Sequence, residues 1–499
     1  MSDIEKDHEF AEELCDIDTL DTSNYDVAFK FLKSKENDNI GNTELPRKLL
    51  RKIDFRILTL LCAIYFLQFL DKTLLNYSAA MGIKENLVGN EFSNLSTIFY
   101  ASYIFAEPFI SYCLQKFPIS RALSICIVLW GIVLTCHAAC KTYASLMIVR
   151  TLLGIFESSS AVGIIAISGM YYTKSEQVAR MGIWSINSGT ATIVGALLSF
   201  GFQHIHTTEF QSWQILFLVV GLITILFGIF VWFYLPDNVV NSRFLDNNEK
   251  MLVLEHIREN QTGTENKKFK KEQLYELIFK DKLTWPVLLL TGTSQIVTGA
   301  IGTYSATVIG TFGFDGYKTA LLQIPLGAII IIIIVITTQL VARYGHRTYI
   351  TVSMFIPSII GAIVLLSTNI ITQQIGNLLA LYLLYSGSSS ITLIYAWNSA
   401  NTAGYTKRMF RNALTMIFFS LSCLLGPQMF QPKDFPGYLP AKIAILVTQV
   451  ASVPLTLLVG YLSKKENEKR DNEPLHKLPD NYQFLDLTDM ENRNFRYSY

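Results

Sequence analysis

Charge is scarce in this sequence, and neither sign prevails. Only 16% of its 499 residues are charged, and 41 Lys and Arg against 40 Asp and Glu leave a net charge of +1. Without a basic excess there is no electrostatic footprint for nucleic acid, and no such partner is expected. Cysteine is sparse and unpaired in pattern: the count of seven is odd, and Cys62, Cys113, Cys126, Cys136, Cys140 and Cys423 sit in apolar runs without the spacing of a disulfide framework or zinc site. They read as small hydrophobes. The seven histidines supply one close pair, His204 and His206, with Glu209 as the nearby carboxylate, too thin a set for a metal centre. No Gly-Lys-Ser/Thr phosphate cradle occurs between the apolar runs, which sets aside an ATP-driven pump. No enzyme, metal or cofactor is expected.

What the sequence has in abundance is apolar surface. With 51% hydrophobic residues and a mean hydropathy of +0.33, the chain reads as a protein whose solvent is the lipid bilayer. About twelve apolar segments, centred near Ile64, Tyr103, Leu129, Phe156, Thr190, Ile223, Val297, Ile330, Ile360, Tyr385, Phe418 and Thr448, reach the ~20 residues that a ~30 Å hydrocarbon core requires. They fall into two sets of six. The predicted organisation is an amino-terminal tail (1–54), a first six-helix bundle (55–235), a central loop (236–284) with one or two short surface helices, a second bundle (285–463) and a carboxy-terminal tail (464–499). Both tails are charged and poor in aliphatic residues, so both are expected to be solvated. The first 50 or so residues show no signal-peptide pattern, and sorting is expected to fall to the first apolar helix.

Lys and Arg favour the even-numbered loops. Lys116 and Arg121, Lys174 and Arg180, the central stretch, Arg343 and Arg347, and Lys407, Arg408 and Arg411 stand there, which predicts that both termini are cytoplasmic.

The informative residues are the charges left inside apolar segments, because an ionisable group in hydrocarbon costs ~2.5 kcal/mol or more and needs a partner or a water-filled cavity. Segment 1 carries Asp71 and Lys72, segment 2 Glu107, and segment 4 Arg150 and Glu157. Arg150 and Glu157 are seven residues apart, about two turns on one helical face. From helix starts near Phe55 and Ser145, Asp71 lies ~24 Å along its helix and Arg150 ~8 Å along the opposite one, so an Asp71–Arg150 pair is expected, with Glu157 nearer the midplane. Desolvation favours the protonated carboxyl and a neighbouring cation the ionised one. An anion competing for Arg150 or Lys72 would therefore free Asp71 or Glu157 to take a proton, a physical route to anion–proton symport. The plainer alternative is that Asp71 and Lys72 sit at a water interface while Arg150 and Glu157 lock helices together. Glu107 precedes Pro108 and is expected to satisfy backbone groups that the proline frees. Gln295 and Asn398 are the amides offered for substrate polar groups, although packing or gating is favoured over direct binding, since interhelical hydrogen bonding is the commoner use of such amides and Asn398 lies near the cytoplasmic face. Gly154, Gly163, Gly169, Gly182, Gly189 and Gly195 predict close helix approach.

Several stretches together resemble a known family. Phe69-Leu-Asp-Lys-Thr-Leu-Leu-Asn-Tyr-Ser-Ala-Ala-Met-Gly-Ile, Arg150-Thr-Leu-Leu-Gly-Ile-Phe-Glu, Leu235-Pro-Asp, Ser242-Arg-Phe-Leu, Glu259-Asn-Gln-Thr-Gly, Trp397-Asn-Ser-Ala-Asn-Thr-Ala-Gly-Tyr-Thr-Lys-Arg, Leu425-Gly-Pro-Gln and Phe484-Leu-Asp-Leu-Thr-Asp are similar to fungal allantoate permease-type members of the anion:cation symporter branch of the major facilitator superfamily. The resemblance implies an all-α membrane protein of two six-helix bundles rocking about a central site. It implies proton-coupled uptake of a small organic anion such as a carboxylate, sulfonate, ureide or vitamin acid. It places Asp71 and Glu157 as proton-coupling residues and Arg150 and Lys72 as anion-binding ones, in a chain working as a monomer with protons as its coupling ion. Plasma membrane is the implied address, an internal membrane the alternative. The chain departs from the superfamily pattern between segments 2 and 3, where Gln115-Lys-Phe-Pro-Ile-Ser-Arg replaces a Gly-rich loop with its Asp, so the gating salt bridges there are expected to be absent or replaced. A drug–proton antiporter is the second reading, although segment 5 lacks the Gly-Pro motif of such proteins, and a non-transporting nutrient receptor is the third.

Overall fold

The structure is a computed structural model that describes residues 45–205, 210–258, 269–314, 316–368, 373–435, 437–473 and 486–499. His206 and Glu209, the Glu259 to Gly263 match and Phe484 lie outside the described residues. Among the described residues there are twelve helices of 21 residues or more and no strand. In chain order they are α1 (Arg47–Ala80), α2 (Glu91–Lys116), α3 (Ile119–Ala139), α4 (Tyr143–Tyr171), α5 (Glu176–Phe202), α6 (Ser212–Tyr234), α7 (Thr284–Thr311), α8 (Tyr317–Tyr344), α9 (Arg347–Ser367), α10 (Gln374–Asn401), α11 (Tyr405–Gln428) and α12 (Leu439–Asp471). Ten are long and apolar enough to cross a bilayer by composition. The other two, α2 and α7, reach 26 and 28 residues and owe their lower hydropathy to interior-facing polar groups such as Ser96, Glu107, Thr291 and Gln295. Each apolar centre expected from hydropathy falls within one of the twelve.

The helices form two six-helix bundles, α1–α6 and α7–α12, that meet along α2 with α11, α5 with α8 and α1 with α7. Small residues make these seams tight. A Cβ on Gly189 of α5 would lie 2.5 Å from the Gly327 carbonyl of α8, and one on Gly327 would lie 2.6 Å from the Gly189 carbonyl, so the backbones touch where neither residue has a side chain. Gly154, Gly182 and Gly195 are equally confined, while Gly163 and Gly169 leave room for ordinary contact or nearly so.

An even number of crossings brings the start of α1 and the end of α12 to one end of the molecule, the terminal end. The linker between the bundles lies there too. It carries a helix at Asn247–Arg258 and a short one at Lys271–Tyr275 that continues as a wider π-turn over Glu276–Lys280. Lys52 of α1 pairs with Glu249 at 2.7 Å, and His256 reaches Glu176 of α5 at 3.1 Å. The Lys52 hydrogen bond holds Glu249 below the usual glutamate range.

The carboxy-terminal region corrects the expectation of a solvated tail. Helix α12 runs on to Asp471, and residues 486–499 fold back onto the ends of α10, α11 and α12, burying Thr488, Asp489, Phe495 and Tyr497. Their composition looks polar, but their aromatic rings fill a small core with Leu283 and Ala403. Their carboxylates also meet cations, Asp486 the half-buried Lys270 and Asp489 the buried Lys407.

Candidate functional site

Four of the six proposed site residues gather at the centre of the first bundle. Lys72 of α1 points inward rather than to an interface. Its ammonium lies 3.2 Å from a Glu157 oxygen, with side-chain exposures of 10% and 0%. It also sits 5.3, 5.5 and 5.7 Å from the ring centres of Phe69, Tyr103 and Phe419, within cation–π range of all three. Asp71 is buried and accepts a 2.6 Å hydrogen bond from the Trp130 indole of α3. Arg150 is buried over the Phe217 ring at 5.4 Å, and it and Asp71 are electrostatic neighbours without the direct ion pair that helix-depth counting suggested. The direct pair is Lys72 with Glu157 because the lysine's four-carbon stem reaches down past Asp71 to the deeper carboxylate.

Two adjoining cavities open from this cluster and share Phe69, Thr73, Thr298, Tyr385 and Phe419 as walls. One, of about 550 Å³, is lined by Lys72, Arg150, Tyr100 and Ser96. The other, of about 450 Å³, is lined by Gln295, Ser188, Thr192, Ser388, Ser389 and Thr392. Gln295 thus faces the hydroxyl-rich compartment, where its amide donates to Ser390 at 3.1 Å and accepts from Thr298 at 2.8 Å. Asn398 does not join them. It lies toward the terminal end, donating to Thr415 at 2.8 Å and accepting from Arg411 at 3.1 Å, which makes it a packing amide of α10 and α11. That corrects its placement as a substrate ligand.

Each bundle has a local irregularity in one inner helix, slight in α4, where Ser158 keeps helical backbone angles, and fuller in α10, where it lines the cavity. Helix α4 is interrupted at Ser158, directly after Glu157, where the Ser158 and Ser159 hydroxyls donate to the carbonyls of Ile155 and Phe156. Helix α10, the counterpart in the second bundle, tightens to a 3₁₀ turn over Tyr385–Ser389. A Cβ on Gly387 would stand 2.3 Å from the Gln449 amide oxygen, so a larger residue there would have to displace the Gln449 side chain. Broken helices in corresponding positions of two repeats are where transporters bind substrate. The signal was present in the sequence as Ser158-Ser-Ser and Ser386-Gly-Ser-Ser-Ser and was passed over, as were Trp130 and the tyrosines 100, 103 and 385.

Hydrogen bonds join the two bundles at both ends of the cavity region. At the far end Asn76 donates to Ser305 at 2.9 Å and to Gln323 at 3.1 Å, Ser96 bonds Thr303 at 3.1 Å, Lys84 bonds Thr307 at 2.6 Å and Gln428 bonds Thr97 at 2.6 Å. At the terminal end Gln115 donates to Thr406 at 2.8 Å and Ser399 donates to Gln177. Neutral hydrogen bonds therefore stand where the loop departure at Gln115 left the usual salt bridges in question.

Glu107 also departs from expectation. It is fully buried, and neither carboxylate oxygen has a hydrogen-bond partner, so it does not serve the backbone freed by Pro108.

A second charged cluster lies at the terminal end. Lys407 meets Glu276 at 2.8 Å, Asp489 of the tail at 2.8 Å and Asp281 at 3.5 Å, while Arg411 meets Asp281 at 2.7 Å. Burial pushes Asp281 up, but Arg411 and Lys407 outweigh it and hold its carboxyl below the usual range. Burial prevails at Glu276, which stays above it despite Lys407.

Comparison with known proteins agrees with the fold. The profile of the Major Facilitator Superfamily matches residues 61–427. The thiamine pathway transporter of Saccharomyces cerevisiae is 60% identical across 100% of this chain and 98% of its own length. The allantoate permease of the same yeast is 30% identical across 95% of this chain and 90% of its own. Among solved structures, the proton:xylose symporter XylE superposes with a TM-score of 0.68 over 82% of this chain and 95% of its own, at 14% identity.

Proposed function

This chain belongs to the major facilitator superfamily and is a multi-pass membrane transporter rather than an enzyme, and on that premise we propose that it imports a small organic anion together with protons. The observation that carries the proposal is the buried Lys72–Glu157 ion pair in the cavity region, with Arg150 and Asp71 beside it. An entering anion competes for Lys72 and Arg150. Glu157, deprived of its cation in a water-poor site, then takes a proton. The loaded site carries no surplus charge, which lets the bundles rock past the hydrophobic barrier. Gln295 and the serine and threonine hydroxyls of the second cavity orient the substrate's polar groups, and the aromatic walls hold its body. The transporter works as a monomer without a cofactor, with its terminal end in the cytoplasm and the plasma membrane as its address.

The test is uptake of labelled carboxylates, sulfonates, ureides and compounds of the thiamine pathway into transporter-deficient cells, with and without a proton gradient. The last class is included because of the 60% identical relative. Accumulation that follows the gradient is expected; efflux would favour an antiporter, and no movement a receptor. Glu157→Gln should lose gradient-driven accumulation while keeping substrate exchange, and undiminished accumulation in that variant would sink the coupling scheme.

A further inference from the structure

We propose that Glu107 is a third proton-carrying carboxylate, the step that passes protons from the Asp71 and Glu157 region toward the terminal end. The inference rests on the proton-coupled reading above and extends it to a residue that reading leaves unused. Counted at ~1.5 Å per residue from the far end of each helix, Arg150 lies ~10 Å deep, Asp71 ~14 Å, Glu157 ~21 Å and Glu107 ~24 Å. The three carboxylates thus descend in order across the bundle. Glu107 stands one turn beyond Tyr103 on α2. The Tyr103 hydroxyl donates to the Ser158 carbonyl at the α4 break at 3.4 Å, and its ring lies 5.5 Å from the Lys72 ammonium. Glu107 and Glu157 therefore flank one tyrosine and share the field of one lysine.

Glu107 is 0% exposed and its two oxygens make no hydrogen bond. An ionised carboxylate in that state at bilayer depth is costly, so the group holds its proton while Lys72 is engaged by Glu157. The groups that face it are Lys72 from α1, Tyr103 on its own helix and Tyr395 from α10, with Glu157 from α4 on the far side of Tyr103 and Lys72. On α11 the cations are Lys407, Arg408 and Arg411, nearer the terminal end; Lys407 is held by Glu276, Asp281 and Asp489, and Arg411 by Asp281 and Asn398. When the terminal end opens, Glu107 gives its proton to water and remains as a carboxylate facing Lys72. It is reprotonated from Glu157 by way of water admitted at the open end: the Glu157 O–H bond breaks as water takes that proton, and the Glu107 O–H bond forms as water gives one up. Lys72, released from the anion once it has left and not yet re-engaged by Glu157, stabilises the ionised intermediate and keeps its own protons throughout.

Two measurements on the full-length protein test this. The first needs no substrate: infrared absorption of protonated carboxyl groups, followed through a pH titration in lipid. The wild type should keep a carboxylic-acid band at neutral pH that Glu107→Gln removes in part and Glu107→Asp restores at a shifted pH. An unchanged band in Glu107→Gln overturns the proposal. The second is uptake of the compound selected by the panel into proteoliposomes under a one-unit pH gradient, which supports about tenfold accumulation for each proton coupled. Glu107→Gln should bring that ratio to about one while one-for-one exchange continues. Full accumulation in Glu107→Gln overturns the relay alone. A wild-type protein indifferent to the gradient overturns the coupled reading, and the relay with it, and is told apart because it shows before any mutation is made.

Discussion

Replacing Asp489 by Asn should undock the carboxy-terminal tail. The buried carboxylate takes the Lys407 ammonium at 2.8 Å and the Ala403 amide at 3.2 Å on one oxygen and the Tyr497 hydroxyl at 2.7 Å on the other. Asn preserves the shape and removes the charge. Breaking a buried pair can cost ~3–5 kcal/mol, but Lys407 keeps Glu276 and Asp281, so the loss expected is that of a charge-assisted hydrogen bond, ~2–3 kcal/mol. At ~1.4 kcal/mol per factor of ten, the tail opens about 30- to 150-fold more often. Hydrogen exchange reads that opening at the Tyr497 and Ser498 amides, which donate to Asn467 and Asn401 at 2.9 and 2.7 Å. Asp471→Asn is the control, because its pair with Arg496 is exposed and worth little. Exchange at both amides as slow in Asp489→Asn as in the wild type would refute the argument that the buried charge, rather than the aromatic contacts of Phe495 and Tyr497, holds the tail.

Two further outcomes follow. Asn76→Leu removes the amide that bonds Ser305, Gln323 and the Ala306 amide, so the far end should open more readily, and a cysteine placed at Thr303 should label faster from that side; unchanged labelling would show that the other far-end contacts suffice. Asp281→Asn should destabilise the terminal cluster by ~1–3 kcal/mol near neutral pH. Because the folded protein holds this carboxyl low, its contribution is fully present above the ordinary value of 3.8 and fades as pH falls through the lower folded value, so the wild-type advantage in thermal unfolding should shrink below pH 3.8 and persist above it.

The helices were legible in the sequence because each hydrophobic run had to be long enough to cross the bilayer, a requirement that overrides local propensity. The site was legible for a related reason. A charge surviving in an apolar segment is expensive, so Asp71, Lys72, Arg150 and Glu157 stood out before any contact was known, and the structure gathers them. What did not follow was which cation meets which carboxylate. Counting residues gives depth, but Lys72 reaches Glu157 with a side chain about four bonds long, a distance that helix positions do not constrain. The tail was misread for a different reason. Segment 486–499 has the composition of a solvated chain, and only the buried cations of another segment, Lys407 above all, give its acidic residues somewhere to go. Asn398 shows the same limit in reverse, since its amide looked available until Arg411 and Thr415 took it.

The distribution of charge also bears on how the bundles move. The ion pairs lie within the first bundle or tie the linker or tail to a single bundle: Lys72 with Glu157 and Arg180 of α5 with Asp54 of α1 lie in the first, Lys52 with Glu249 ties the linker to it, and Lys407 and Arg411 with Glu276, Asp281 and Asp489 tie the linker and tail to the second. The contacts joining bundle to bundle at the ends of the cavity region are instead hydrogen bonds among amides and hydroxyls, with Lys84 to Thr307 the one that uses a cation. Each such bond is worth ~1 kcal/mol net, because water replaces it on opening. Separating a buried ion pair is several times more costly. Either end can therefore open for a few kcal/mol while each bundle stays rigid. The two-body rocking implied by the fold is built into where this sequence puts charge and where it puts amides.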